Sequence, residues 1–231
     1  MARLPRLSSD HVRRVHREVE DPGPGAWAGL GQFTEALYDE HLAEFLQSRP
    51  DGPVGVFAYG SLTGTAVFEP AATQGATALG WERAFTLRIK RFRGTPECSG
   101  LMMQIDRGDT CEGVLHMVPP ERERKVLGDL WRREMTVYPP GNLPRWIDSE
   151  AEDRVRKAIA FTANPESPNY AGRLSPEEVA ACLAQACGHW GTGADYLLQT
   201  VTALEAAGIH DPHLWALQER VAELIEARFP A

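Results

Sequence analysis

The sequence predicts an α+β fold, a strand-rich middle bracketed by helices, on three observations. The middle of the chain runs apolar or alternates in short stretches, as in Phe85-Thr86-Leu87-Arg88-Ile89. The C-terminal third carries apolar residues at helical spacing between clear start and stop signals. The first 50 residues read as two more helices split by Asp21-Pro22-Gly23-Pro24-Gly25.

Composition bounds the function before any motif does. With 231 residues, 43% of them hydrophobic, the chain can bury one good core with a minor appendage. The formal charge of −8 and pI of about 5.4 exclude the basic face of a typical nucleic-acid binder. No apolar run approaches a membrane span, and the start, Met-Ala-Arg-Leu-Pro-Arg-Leu, has no secretory apolar core. The four cysteines (Cys98, Cys111, Cys182, Cys187) lack Cys-x-x-Cys spacing and are expected as free thiols in a reducing cytoplasm. Nothing in the sequence specifies an oligomeric state.

In chain order, Asp10 is expected to cap a helix from His11 to about Glu20, and a second helix is expected from about Thr34 to Gln47. Arg49-Pro50-Asp51-Gly52-Pro53 turns the chain into a buried strand beginning at Val54. Phe85, Leu87 and Ile89 alternate with Thr86, Arg88 and Lys90 as strand. Leu101–Ile105 and Gly113–Val118 read as a hairpin about Asp106-Arg107-Gly108-Asp109. After Pro119-Pro120 a helix from about Glu121 to Arg133 presents Val126, Leu127, Leu130 and Trp131 on one face. Met135–Tyr138 and Val155–Thr162 read as two further strands, the second with a pattern a helix would also satisfy. Ser175-Pro176-Glu177-Glu178 is a capping box opening a helix that Gly188 is expected to stop. A Gly-rich joint precedes a helix from about Ala194 to Ala207 with Gly208 beyond its end, and Asp211-Pro212 opens the last helix.

Two features carry chemistry. The strand from Val54 breaks into Tyr59-Gly60-Ser61-Leu62, where backbone N–H groups and a hydroxyl form a candidate cradle for an anion or an oxyanion. No Gly-x-Ser-x-Gly elbow surrounds Ser61 and no phosphate-binding Gly-x-x-x-x-Gly-Lys occurs, so serine hydrolysis and nucleotide binding fit poorly. Glu134 lies seven residues after Leu127 and four after Leu130, on the apolar face of its helix, while Arg132 and Arg133 point elsewhere. A carboxylate losing water there acquires the raised pKa of a general base. The competing reading is a helix-end residue that reaches solvent or pairs with Arg132 or Arg133. Metal signals are weak: His210 and His213 are split by a helix start, and Cys187 and His189 have no matching pair. Tyr196 reads either as core packing or as a phenol directed into a cleft.

The ordered set of blocks resembles the ChaC-type, glutathione-specific γ-glutamylcyclotransferases. It comprises Phe57-Ala58-Tyr59-Gly60-Ser61-Leu62, Gly80-Trp81-Glu82-Arg83-Ala84-Phe85, Arg93-Gly94-Thr95-Pro96-Glu97 and Gly113-Val114. Further along come Leu130-Trp131-Arg132-Arg133-Glu134-Met135, Asn164-Pro165-Glu166-Ser167-Pro168-Asn169-Tyr170 and Gly193-Ala194-Asp195-Tyr196-Leu197. The resemblance implies a small distorted β-barrel or mixed sheet with flanking helices, spanning 51–231, with residues 1–50 as an N-terminal helical extension. It implies cleavage of glutathione to 5-oxoproline and cysteinylglycine without a cofactor; the composition and spacing read above add the expectations of a cytoplasmic location and of no metal, nucleic-acid or membrane partner. Glu134 would be the acid/base, and Tyr59, Gly60, Ser61, Leu62 and Tyr196 would bind substrate. The positive charge of Arg88, Arg91 and Arg93 is available for the far carboxylate, though solvated strand residues are the plainer reading for at least two. The chain departs from the family at Ala58, where Gly is usual, and at Thr63-Gly64, where a bulky apolar residue and Trp are usual. Two alternatives stand beside this one: a cyclotransferase for other γ-glutamyl amines or amino acids, and a non-enzymatic regulator of cation transport.

Overall fold

A computed structural model describes residues 4–23, 30–64, 67–152 and 154–230. The chain divides into two compact units, one built from 1–29, 85–103 and 171–231 and the other from 30–84 and 104–170. Among the described residues no helix is long and apolar enough to cross a membrane.

The second unit holds most of a closed five-stranded barrel, in the order β1-β3-β2-β4-β5, that confirms the expected α+β barrel with helices around it. Strand β1 (Gly55–Ala58) is buried at every position, as its unbroken apolar run requires. It pairs antiparallel with β3 (Gly100–Met117), Phe57 opposite Leu115, and parallel with β5 (Arg154–Ala163) at Val56 and Ile159. Gly113 permits this approach, because a Cβ there would strike the Ala58 carbonyl and the Phe57 ring. Strand β2 (Ala72–Ile89) pairs with β4 (Asn142–Ala151), which runs antiparallel to β5 along its whole length.

Two expected strand features fail in this unit, and one ambiguous pattern is resolved. The hairpin at 106–109 does not exist, since 100–117 form one continuous strand. The residues that imitate a turn have other partners: Asp106 accepts from its neighbour's N–H and from the Tyr170 hydroxyl, Arg107 lies over the Trp81 ring, and Gly108 sits against the Glu82 side chain. Met135–Tyr138 is no strand. Only an isolated bridge joins Tyr138 to Gly31, and the strand lies later, at β4. Val155–Thr162 does form a strand, settling the ambiguous pattern.

Helix α2 (Glu35–Gln47), capped by Thr34 through the Leu37 N–H, packs on α4 (Glu123–Glu134), which a short 3-10 turn at Pro120–Arg122 introduces. Helix α4 begins two residues later than expected and includes Glu134. Its Val126, Leu127, Leu130 and Trp131 enter a core with Phe33, Leu42, Val54, Val56, Val118, Ile159 and Phe161. Trp131 is fully buried, edge-on to Phe45 and Phe161, and its indole N–H reaches His41 Nδ1 at 3.3 Å.

In the first unit, α1 (Ser9–Val15) is shorter than expected and is opened by Ser8, whose N–H donates to His11 Nδ1 at 3.1 Å. Asp10 lies inside the helix and pairs with Arg13 and Arg14. Of the segment expected to end this helix, Pro24 and Gly25 lie outside the described residues. Helix α5 (Pro176–Leu183) has the expected Ser175–Glu178 capping box, but it ends before Gly188. Gly188 instead belongs to the hairpin of β6 (Cys187–Gly188) and β7 (Gly191–Thr192), where a Cβ would collide with the Phe92 carbonyl. Helices α6 (Gly193–Ala206) and α7 (Pro212–Arg228) form as expected, capped by Thr192 and Asp211, with Gly208 in the left-handed region at φ 77°. All four cysteines are free.

Trp131→Ala should cost about 3–5 kcal/mol in urea denaturation, the range for emptying a buried aromatic site.

Candidate functional site

Glu134 closes α4. Four apolar residues before it are drawn into the core, so the helix carries its last side chain inward with them. That side chain keeps 19% of its surface. Burial raises its pKa above the ordinary carboxylate value, and the charge and hydrogen bond of Arg133 oppose the rise. Both readings of this residue therefore hold in part: Glu134 is largely but not fully buried, and it pairs with Arg133. Its backbone is fixed as well. The Met135 N–H closes the last turn on Trp131 O at 2.9 Å, and Asn142 Nδ2 donates to Glu134 O at 3.0 Å. Asn142 is held in turn by the buried amide of Gln104, whose Nε2 donates to Asn142 Oδ1 at 2.6 Å.

The Tyr59-Gly60-Ser61-Leu62 segment leaves the end of β1 and turns into the single-turn helix α3 (Ser61–Gly64). The carbonyl oxygens of Tyr59, Gly60 and Leu62 are engaged by protein donors. Arg83 Nε donates to Tyr59 O at 2.7 Å, and a second arm of Arg83 donates to the Glu112 carbonyl. Thr63 donates to Gly60 O from both its N–H, at 2.9 Å, and its hydroxyl, at 2.5 Å. His116 Nε2 donates to Leu62 O at 3.1 Å while its Nδ1 takes the Thr73 hydroxyl at 3.0 Å. The Leu62 carbonyl requires a proton on Nε2, and burial lowers the His116 pKa, which favours the neutral form with Nδ1 accepting from Thr73. The Tyr59 hydroxyl donates to Phe161 O at 2.6 Å, tying the turn to β5. Leu62 packs against the core that holds α4, and Ser61 is exposed.

One side chain joins these two pieces. Arg133 Nε lies 3.2 Å from Glu134 Oε1, and its Nη2 donates to Ser61 Oγ at 3.3 Å. The expectation that Arg133 points elsewhere is therefore wrong. Helical periodicity places its Cβ off the apolar face, but the long side chain folds back across the helix end. Arg132 does point away, to Glu35.

Tyr196 belongs to the first unit. It is buried on α6, edge-on to Phe85, with Arg93 over its ring, and its hydroxyl oxygen accepts the Met103 N–H at 3.4 Å. The three arginines named from the sequence have protein partners there: Arg88 with Ser99, Arg91 with Asp21, and Arg93 with Asp195 and Thr192 O. Among the described residues no group of three or more His, Cys, Asp and Glu side chains is placed to hold a metal. His210 lies 2.6 Å from Glu205.

The sequence reading missed His116, Asn142 and Gln104, which carry no local signal, since each acts on a residue distant in sequence. It named Arg133 as a possible partner of Glu134 and missed its link to Ser61. His116→Leu should lose about 1–3 kcal/mol at pH 7.5 by leaving Leu62 O and Thr73 without their partner. Because the folded pKa of His116 lies below the unfolded value, its contribution is present above about pH 6.5 and is lost as pH falls. Denaturation at pH 7.5 and 5.5 should accordingly show a smaller acid loss in the variant than in the wild type.

Comparison with known proteins places these features in context. The family model described as ChaC-like protein matches residues 54–224. The glutathione-specific γ-glutamylcyclotransferase of Escherichia coli K12 is 36% identical over 193 residues, covering 82% of this chain and 82% of that protein. The human glutathione-specific γ-glutamylcyclotransferase 1 is 28% identical over 190 residues, covering 76% of this chain and 81% of its own. The crystal structure of the yeast γ-glutamyl cyclotransferase specific to glutathione superposes with a TM-score of 0.64 at 19% identity, over 75% of this chain and all of that one. With the barrel, the turn after β1 and the buried carboxylate of α4 in place, the chain belongs to the ChaC-like family.

Proposed function

We propose that this protein is a γ-glutamylcyclotransferase that cleaves glutathione to 5-oxoproline and cysteinylglycine, with Glu134 as its acid/base. The observation that carries the reading is a carboxylate with a pKa raised by burial, held against the Tyr59–Leu62 turn through Arg133. Family membership and the names of the relatives supply the substrate.

The reaction needs no nucleophile from the protein. The α-amine of the γ-glutamyl group attacks its own γ-carbonyl, a five-membered lactam closes, and the bond to the cysteinyl nitrogen breaks. Holding amine and carbonyl in contact is worth roughly 7–11 kcal/mol in favourable intramolecular cases. The α-ammonium loses two protons on becoming the lactam N–H, and the cysteinyl nitrogen gains two on leaving as an ammonium; Glu134 relays them in turn, so protons balance without added water. Tyr59, Gly60, Ser61 and Leu62 receive the γ-glutamyl end. The carbonyls of Tyr59, Gly60 and Leu62 are committed to protein donors, so they do not compete with an anion for donors at this turn. Tyr196 is assigned to substrate binding on its sequence block alone. Residues 1–50 form an extension to a catalytic domain at 51–231, in keeping with a family match that begins at residue 54. The extension also has a structural task, since α2 covers Trp131. The chemistry suits a cytoplasmic enzyme with a small-molecule substrate.

Thr63 favours a second reading within the same chemistry. Where relatives carry a bulky apolar residue, its hydroxyl is spent on Gly60 O, so γ-glutamyl amines with other leaving groups belong in the assay. A substrate panel read by 5-oxoproline release separates the two.

Glu134→Gln should fold normally and lose about 10²–10⁴-fold in turnover, the usual contribution of a general acid–base. Near wild-type release of 5-oxoproline by that variant would refute the assignment. In the wild type, kcat/KM should fall on the acid side through a pKa above the ordinary glutamate value, as burial requires.

A further inference from the structure

The reaction requires Glu134 to begin as a carboxylate, yet burial favours its protonated form. The charged group acting on that carboxylate is Arg133, at 3.2 Å. Among the described residues, no other charged group acts on that carboxylate. Arg132 is committed to Glu35, and the turn after β1 presents the neutral hydroxyl of Ser61. Burial disfavours the charged form of His116, and both of its ring nitrogens are engaged, by Thr73 and Leu62 O. Asn142 contacts only the backbone carbonyl of Glu134.

We propose that Arg133 is the positioning residue of the site, one guanidinium that fastens Glu134 to Ser61 and keeps the base ionised until the substrate's own ammonium takes its place. This rests on Glu134 being the base. Two arms of a planar fork fix both distance and direction between the helix end and the turn, which a point charge on a flexible stem does not do. The guanidinium stays charged at every working pH, so the bias it places on Glu134 is constant. When the γ-glutamyl group arrives, its α-ammonium is the second cation beside the carboxylate. Glu134 then exchanges one positive partner for another, and the new partner has a proton to give. Arg133 cannot deliver a proton at these pH values, so it sets the charge of the base without taking part in the transfer.

The test compares Arg133→Met, Arg133→Gln and Arg133→Lys with the wild type, using glutathione as substrate and 5-oxoproline as readout from pH 5 to 9. Gln retains a hydrogen-bond donor towards Ser61 but no charge, whereas Lys retains charge without the fork. In the Met and Gln variants the acid limb of kcat/KM should move up by about one pH unit, as expected when a partly exposed opposite charge leaves a carboxylate. The loss should be about tenfold below the limb and should shrink towards pH 9, and Lys should return the limb most of the way. A carbon-13 NMR titration of the Glu134 carboxyl should show the same upward shift with no substrate present. A pH-independent loss with an unmoved limb and an unmoved titration would overturn the proposal. Should the wild type release no 5-oxoproline, the proposed activity fails, and the NMR titration alone decides whether Arg133 holds the charge of Glu134.

Discussion

Glu134 is buried because the helix ahead of it is. Fully burying a large apolar side chain is worth about 1.5–3 kcal/mol, and α4 buries Val126, Leu127, Leu130 and Trp131. Desolvating one carboxylate costs several kcal/mol. The helix can therefore carry a carboxylate into a largely desolvated position and still gain on balance, provided the acid sits at the helix end. There a cation can reach it, and its carbonyl can find a donor in Asn142. In a chain where every interaction nets little, the cost of the site falls on the best-packed element of the unit.

The turn that faces this carboxylate is rigid for a different reason. Strand β1 is short and buried, so its register against β3 is set by Phe57 opposite Leu115 and by the missing side chain of Gly113. The residues that follow leave the sheet and lose its ladder of hydrogen bonds. Arg83, Thr63 and His116 replace that ladder one carbonyl at a time. Two of these donors stand on β2 and β3, so the barrel itself shapes a segment that has left it.

Much of this was legible in the sequence, and the misses share a cause. The buried run of β1, the faces of α2, α4, α6 and α7, and the helix starts at Ser175 and Asp211 are local signals, and each produced its element. Strand β4 was missed because Pro144, Arg145 and Asp148 break any apolar pattern, and its place is set by pairing with β5 across ten residues. The false hairpin at 106–109 arose the same way. Asp106-Arg107-Gly108-Asp109 has the composition of a turn, but Tyr170, Trp81 and Glu82 supply partners that keep the strand extended. At the candidate site, periodicity located Glu134 because a short acid goes where its Cβ goes. It failed for Arg133, whose charge sits several bonds away from the direction the helix gives it.

The hydroxyl of Ser61 shows how the arrangement selects among mechanisms. A serine nucleophile needs a base on its oxygen. Here the donor at Ser61 Oγ is a guanidinium, which offers a proton and cannot accept one. The nearby imidazole of His116 has both ring nitrogens engaged by Thr73 and Leu62 O. Glu134 meets Ser61 only through Arg133. The site thus holds a base, a fixed turn and an exposed hydroxyl that acts as an acceptor, with no activated nucleophile among them. Such a site suits a substrate that brings its own nucleophile, and a γ-glutamyl group carries one on the same chain as the carbonyl it attacks.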